Sequence, residues 1–345
     1  KYTASGNVGM LDIVFALEWI RDNIENFGGD PNNVTIMGQS GGGRKVCALT
    51  GMPSAKGLFH KAVSLSGQSL SFGNKENSER LGAYIIKEAG LSASQIDRLQ
   101  EMPWKDYYAL TNRATAKLRA ESTGAAGMMG GFSPVEDGIY LPQGPLFSGD
   151  LSSDIPMIIS STFYERSPTK FDSTLEEITL DGVKEQLKSS FGDKTGEVVD
   201  AYASVYPSRK PVEIWGMLNN NYRPQAVAAS IAKSRQRAPV YNAWFGWDPP
   251  MFDGRLRAFH TMDIAFWFYN TDVQISHTGG GARPRSLAAK MSSSLVQFMK
   301  TGDPNGGGLP EWPRYTEANG EVMILDDVSE VQNDPDREAR KYWPV

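Results

Sequence analysis

The chain has 345 residues, 40% hydrophobic and 22% charged, with a net charge of −5 and one cysteine, Cys47. This is ordinary globular composition, long enough to build a core without disulfides or metals, and with no basic block it lacks the footprint of a nucleic-acid-binding protein. A lone cysteine allows no intrachain disulfide and reads as a small buried hydrophobe; no apolar run reaches membrane-spanning length. The opening KYTASGNVGM carries no signal peptide and reads as the middle of something longer, so the compartment stays open between cytoplasm, periplasm and secretion.

Apolar residues at Ile13, Leu17, Ile20, Ile24 and Phe27 fall on one face of a helix over 10–27. Gly28-Gly29 stops it, and Asp30-Pro31-Asn32-Asn33 turns the chain into a strand at 34–37. The motif Gly38-Gln39-Ser40-Gly41-Gly42 follows, then a helix starting near Lys45 and a second strand at 62–65. Strand, turn, helix, strand is the unit of a parallel sheet with helices on its faces.

Residues 75–120 read as helical with stops at Gly90 and Pro103, and 122–134 reads as a Gly- and Met-rich loop. Strands are expected at 156–160, 239–247 and 322–325, and helices over 175–235, 285–300 and 335–342. The whole is expected to be one α/β domain over 1–345, its mostly parallel sheet carrying mainly helical cap insertions near 75–130 and 170–235. No repeats occur, and no metal or cofactor is implied.

Gly38-x-Ser40-x-Gly42 matches a nucleophile elbow, a strained strand-to-helix turn that holds a serine outward at a helix N-terminus. There the Gly41 N–H and the helix dipole would favour a developing oxyanion. A bland Gly-rich turn gives the same five letters. A serine also needs a base, and the base an orienting acid. Of the three histidines, His60 reads as packing before the second strand and His277 as part of an exposed Gly-rich loop. His260 lies beyond the strand at 239–247, where this order of elements places a base. Glu165, just past the strand at 156–160, fits the acid, with Glu136, Asp137 and Asp172 as competitors by position.

The stretch GNVGMLDIVFALEWIRDNIENFGGDPNNVTIMGQSGGG resembles the signature region of the type-B carboxylesterase (cholinesterase-like) family of the α/β-hydrolase superfamily. The resemblance continues through LFHKAVSLSGQS, FSPVEDGIYLP, PMIISSTFYERSPT, AFHTMDIAFWFYN and FMKTGDPNGGGLPEWPRY, in the family's order. It implies an α/β-hydrolase fold and a serine esterase with Ser40 as nucleophile, Glu165 as acid, His260 as base and Gly41 as oxyanion donor. It implies too that Ser66 lies near the acid and base.

Three departures stand out. Gln39 replaces the family's usual glutamate before the nucleophile and removes a charge, which puts a preference for cationic substrates in doubt. Gly41-Gly42-Gly43 replaces Ala-Gly-Gly. The family's N-terminal strands and Gly-rich oxyanion loop do not appear, which leaves a sheet edge open and points to that segment or a partner chain as what completes the domain. The expected partner is a small-molecule ester, with Phe72, Trp104, Trp215, Phe259 and Trp267 as candidate pocket aromatics. A weak or inert binding protein is the alternative.

Overall fold

A computed structural model of the chain describes residues 2–121, 132–219 and 221–343. Helix α1 (Val8–Asn23) buries Met10, Val14 and Leu17, then tightens into a 3-10 turn at Ile24–Phe27 that Gly28 ends at φ 81°. That tightening breaks the helical phase, so Phe27, expected on the buried face, is 71% exposed and rests on Trp19. Strand β1 (Thr35–Gln39) runs into α2 (Gly41–Gly51), and β2 (Lys61–Leu65) follows. Next come β3 (Gly73–Asn74), α3 (Lys75–Glu88), α4 (Trp104–Glu121) and β4 (Val135–Glu136). The loop expected at 122–134 lies outside the described residues over 122–131.

Strand β5 (Met157–Thr162) precedes the helices α5 (Leu180–Phe191), α6 (Thr195–Val205), α7 (Pro211–Leu218) and α8 (Tyr222–Ser234). After β6 (Val240–Phe245) come the short α9 (Ile264–Trp267) and α10 (Ile275–Thr278) and the long α11 (Ala282–Thr301). Strands β7 (Glu321–Leu325) and β8 (Glu330–Asn333) and helix α12 (Arg337–Arg340) close the chain. The last helix, expected over 335–342, is shorter, at Arg337–Arg340.

The main sheet has the order β1-β2-β5-β6-β7-β8, with every pair parallel except β7–β8. Strand side chains alternate between faces, and the core divides accordingly. Met157 and Ile159 pack with Val14 of α1, Val46 of α2 and Ala226 of α8. Ile158, between them, joins the opposite core with Val183 of α5, Val198 of α6 and Phe298 of α11. Helices on both faces leave the sheet's carboxyl ends for the loops, the position where open α/β sheets build their sites. Among the described residues β1 pairs only with β2, so it is an edge strand.

Candidate active site

At the carboxyl end of β1 the chain turns sharply into α2, and the turn residue is Ser40, at φ 57° and ψ −121°. A non-glycine residue holds such a conformation only when its surroundings fix it. Here the Ser40 N–H donates to the Leu65 carbonyl at 2.8 Å and the Ser40 carbonyl accepts from Arg44 N–H at 3.0 Å. Neighbouring glycines make the room. A Cβ on Gly38 would stand 2.3 Å from the Gly42 carbonyl carbon, and one on Gly67 would stand 2.0 Å from the Ser40 carbonyl oxygen. The crowding is not symmetric about the serine: a Cβ on Gly42 meets nothing within 4 Å, while one on Gly43 would meet the Leu65 carbonyl at 2.9 Å. Ser40 precedes the first turn of α2, where the Gly41 N–H has no intrahelical acceptor.

Glu165 and His260 are brought together by backbone. Beyond β5 and β6 the two segments stay adjacent: Tyr164 N–H donates to the Ala258 carbonyl, and His260 N–H to the Glu165 carbonyl, each at 3.1 Å. A parallel bridge joins Tyr164 to Phe259. The Glu165 carboxylate is buried; its Oε1 accepts the Thr162 N–H at 2.8 Å and its Oε2 meets His260 Nδ1 at 2.5 Å. Nδ1 therefore donates, and in the neutral ring Nε2 is left as the acceptor, the tautomer a general base requires.

The Gln39 side-chain nitrogen lies 3.2 Å from His260 Nε2 and 3.5 Å from Nδ1. A donor on the Nε2 lone-pair axis would be much farther from Nδ1. Near-equal distances put the amide over the ring face or the Cε1 edge, clear of that axis. No hydrogen bond joins Ser40 Oγ to His260 here, and bonds of this kind in unliganded sites commonly tighten only around substrate.

The competing residues have other roles. His60 Nδ1 accepts the Val34 N–H, and His277 sits edge-on to Phe259 on a short helix rather than in an exposed loop. Glu136 accepts the Phe72 N–H, Asp137 accepts three backbone N–H groups at 139–141, and Asp172 caps the turn at Thr174. Ser66 is fully buried at φ 46° and its Oγ makes no hydrogen bond, so no such bond links it to the acid or base. Cys47 is buried, as its reading required. Of the five aromatics, Phe72, Phe259 and Trp267 are core and Trp104 is 72% exposed on α4.

Two neighbours escaped the sequence reading. The Tyr222 ring, at the start of α8, lies 5.2 Å from the His260 ring. Asp263 is fully buried; burial, then repulsion from Glu165, pushes its carboxyl up to about 7. Its Oδ2 accepts the Trp267 indole N–H at 3.2 Å and its Oδ1 has no partner. An acid three residues after the histidine, entering the apolar run IAFWF, was the available signal for Asp263; Tyr222 had none. Two cavities, of about 490 and 720 Å³, lie elsewhere and are lined by neither Ser40, Glu165 nor His260. Among the described residues no helix is long and apolar enough to cross a membrane, and no cluster of His, Cys, Asp and Glu could hold a metal.

A model of the carboxylesterase family matches residues 1–343. Para-nitrobenzyl esterase of Bacillus subtilis (strain 168) is 33% identical over 99% of this chain and 68% of its own length. Phenmedipham hydrolase of Pseudarthrobacter oxydans is 30% identical over 95% of this chain and 66% of its own length. Among solved structures, an esterase from Clostridium hathewayi that can hydrolyze aliphatic aromatic polyesters superposes with a TM-score of 0.78 at 30% identity, covering 99% of this chain and 68% of that one. The chain thus spans about two thirds of the length of these relatives.

Proposed function

The chain belongs to the carboxylesterase family of carboxylic ester hydrolases, with the α/β-hydrolase fold, and from that membership we propose that it cleaves esters through Ser40, His260 and Glu165. The observation that supports the triad is the buried Glu165 carboxylate held 2.5 Å from His260 Nδ1, with Gln39, the residue before the strained Ser40, in contact with the same imidazole. His260 Nε2 takes the Ser40 proton as Oγ attacks the ester carbonyl. The oxygen gains negative charge toward the Gly41 N–H. The imidazolium, stabilised by Glu165, then returns its proton to the leaving alkoxide, and water hydrolyses the acyl-enzyme by the same route.

The substrate is proposed to be a small carboxylic ester with an aromatic acyl or alcohol part, since the Tyr222 ring lies beside the proposed base. Helical insertions near 75–130 and 170–235 are proposed to cap the site, with Ser66 and Gln39 in support around the triad. A second reading, a weak or inert binding protein, is favoured by β1 pairing only with β2 among the described residues, beside which the Gly41 N–H is the oxyanion donor we assign. Loss of a single such donor lowers kcat by about 10²–10³. A segment or partner chain pairing along that edge would end next to Ser40 and could supply more.

The test is turnover of p-nitrophenyl esters by the chain and by Ser40→Ala. Saturable release with an acyl-enzyme burst, lost in Ser40→Ala, is expected. Equal turnover by both proteins would defeat the assignment.

A further inference from the structure

Arg257 sits three residues before His260, in the left-handed backbone region at φ 53°, with its side chain buried among charges rather than pointing to water. Its Nη1 donates to Thr169 Oγ1 at 2.7 Å and to Glu176 Oε1 at 2.6 Å; Nη2 donates to Glu176 Oε2 at 2.9 Å. Nη1 also meets the Arg255 carbonyl at 3.2 Å, and Nε lies 3.7 Å from Glu213 of α7. Thr169 Oγ1 itself donates to the Arg255 carbonyl at 2.6 Å, and Glu213 accepts from the Tyr164 hydroxyl at 3.2 Å.

These partners have one arrangement in common. Thr169 and Glu176 belong to the segment that leaves Glu165; Arg257 belongs to the segment that arrives at His260. Between them only two backbone hydrogen bonds, Tyr164 to Ala258 and His260 to Glu165, hold the acid against the base. Two bonds at the end of a ladder would fray without a second tie. We propose that Arg257 is a positioning residue that clamps the acid-bearing and base-bearing loops through Glu176 and Thr169, and so fixes the Glu165–His260 contact.

The chemistry suits the task. A guanidinium matches a carboxylate in two parallel bonds and fixes orientation as well as distance, which a lysine ammonium does not. Removing Glu176 strands the buried guanidinium of Arg257, whereas Glu176 itself is part-exposed, so the larger cost falls on loss of the carboxylate. Displacing a catalytic contact by about 1 Å can cost roughly a hundredfold in rate. The role rests on the acid and base assigned above, and the experiment separates the two.

In the full chain, the His260 Nδ1 proton engaged by Glu165 is expected as a far-downfield proton resonance, identified by its disappearance in His260→Ala. Arg257→Met should broaden it or move it upfield, Arg257→Lys should keep it in part, and Glu176→Gln should shift it in the same direction as Arg257→Met. If Arg257→Met fails to fold, Glu176→Gln decides. With a soluble aryl ester, kcat should fall roughly tenfold to a hundredfold while KM changes little. An unmoved resonance in folded Arg257→Met or Glu176→Gln overturns the clamp, as does its absence from the parent chain. A parent chain that has the resonance, loses it on Arg257→Met and turns over no ester contradicts the proposed function and leaves the clamp standing.

Discussion

The Gln39 amide and the His260 imidazole are in contact, with the amide nitrogen 3.2 Å from Nε2. The residue preceding the proposed nucleophile therefore lies against the proposed base. An amide there is neutral in every state of the reaction. Gln39→Glu would bring a carboxylate against the imidazolium and the mouth of the site. The ratio of kcat/KM for a cationic ester to that for a neutral one of the same shape should rise roughly tenfold, the equivalent of about 1.4 kcal/mol. The gain should shrink at high salt. An unchanged ratio would mean that position 39 does not reach the substrate.

Glu165→Gln keeps the size of the acid but not its charge, and turns one of its two acceptor oxygens into a donor. The imidazole would lose the partner that fixes its tautomer. By analogy with the aspartate-to-asparagine change in a serine protease triad, kcat should drop roughly 10⁴-fold with the fold intact. Circular dichroism and single-turnover acylation distinguish that from unfolding.

The glycines of the elbow are not equivalent. Gly38→Ala drives a Cβ to 2.3 Å from the Gly42 backbone, whereas Gly42→Ala meets open space. Gly38→Ala should destabilise by about 3 kcal/mol or more, because neither contact can relax by a rotamer change. Gly42→Ala, inside α2, should be neutral or stabilising by up to about 1 kcal/mol. Thermal denaturation of the two variants tests the contrast.

Two buried groups give the stability opposite slopes with pH. Asp263 is pushed up to about 7 from an ordinary 3.8, so across that window the folded chain holds a proton the unfolded chain has released, and stability falls as pH rises. Burial brings Lys233 down to about 7 from 10.5, so above pH 7 the unfolded chain holds the extra proton and stability rises with pH. Asp263→Asn should remove the first decline, and Lys233→Met the second rise, in denaturant titrations run across pH.

The central elements were legible where one physical cause dominated. Short apolar runs bounded by turn residues marked β1, β2, β5, β6 and β7, and the elbow was readable because strand, glycines and helix occur in order. Glu165 and His260 were readable as candidates by position and by the family resemblance; their contact depends on a ladder between residues 95 apart. β8 carries the polar sequence EVQN at a sheet edge, so it has no apolar signature, and its pairing with β7 alone defines it. Arg257 is one arginine among many in the sequence and gains its meaning from Glu176 and Thr169, which only the fold brings to it. The α1 face was misread at Phe27 because a 3-10 turn changes the helical phase.

The proposed triad requires Ser40 to be an activated nucleophile. The chain should be incubated with a fluorophosphonate and the adduct located by mass spectrometry. One adduct is expected, on Ser40, abolished by His260→Ala and slowed by Glu165→Gln. A folded chain that takes no adduct, or takes it equally without His260, would contradict it.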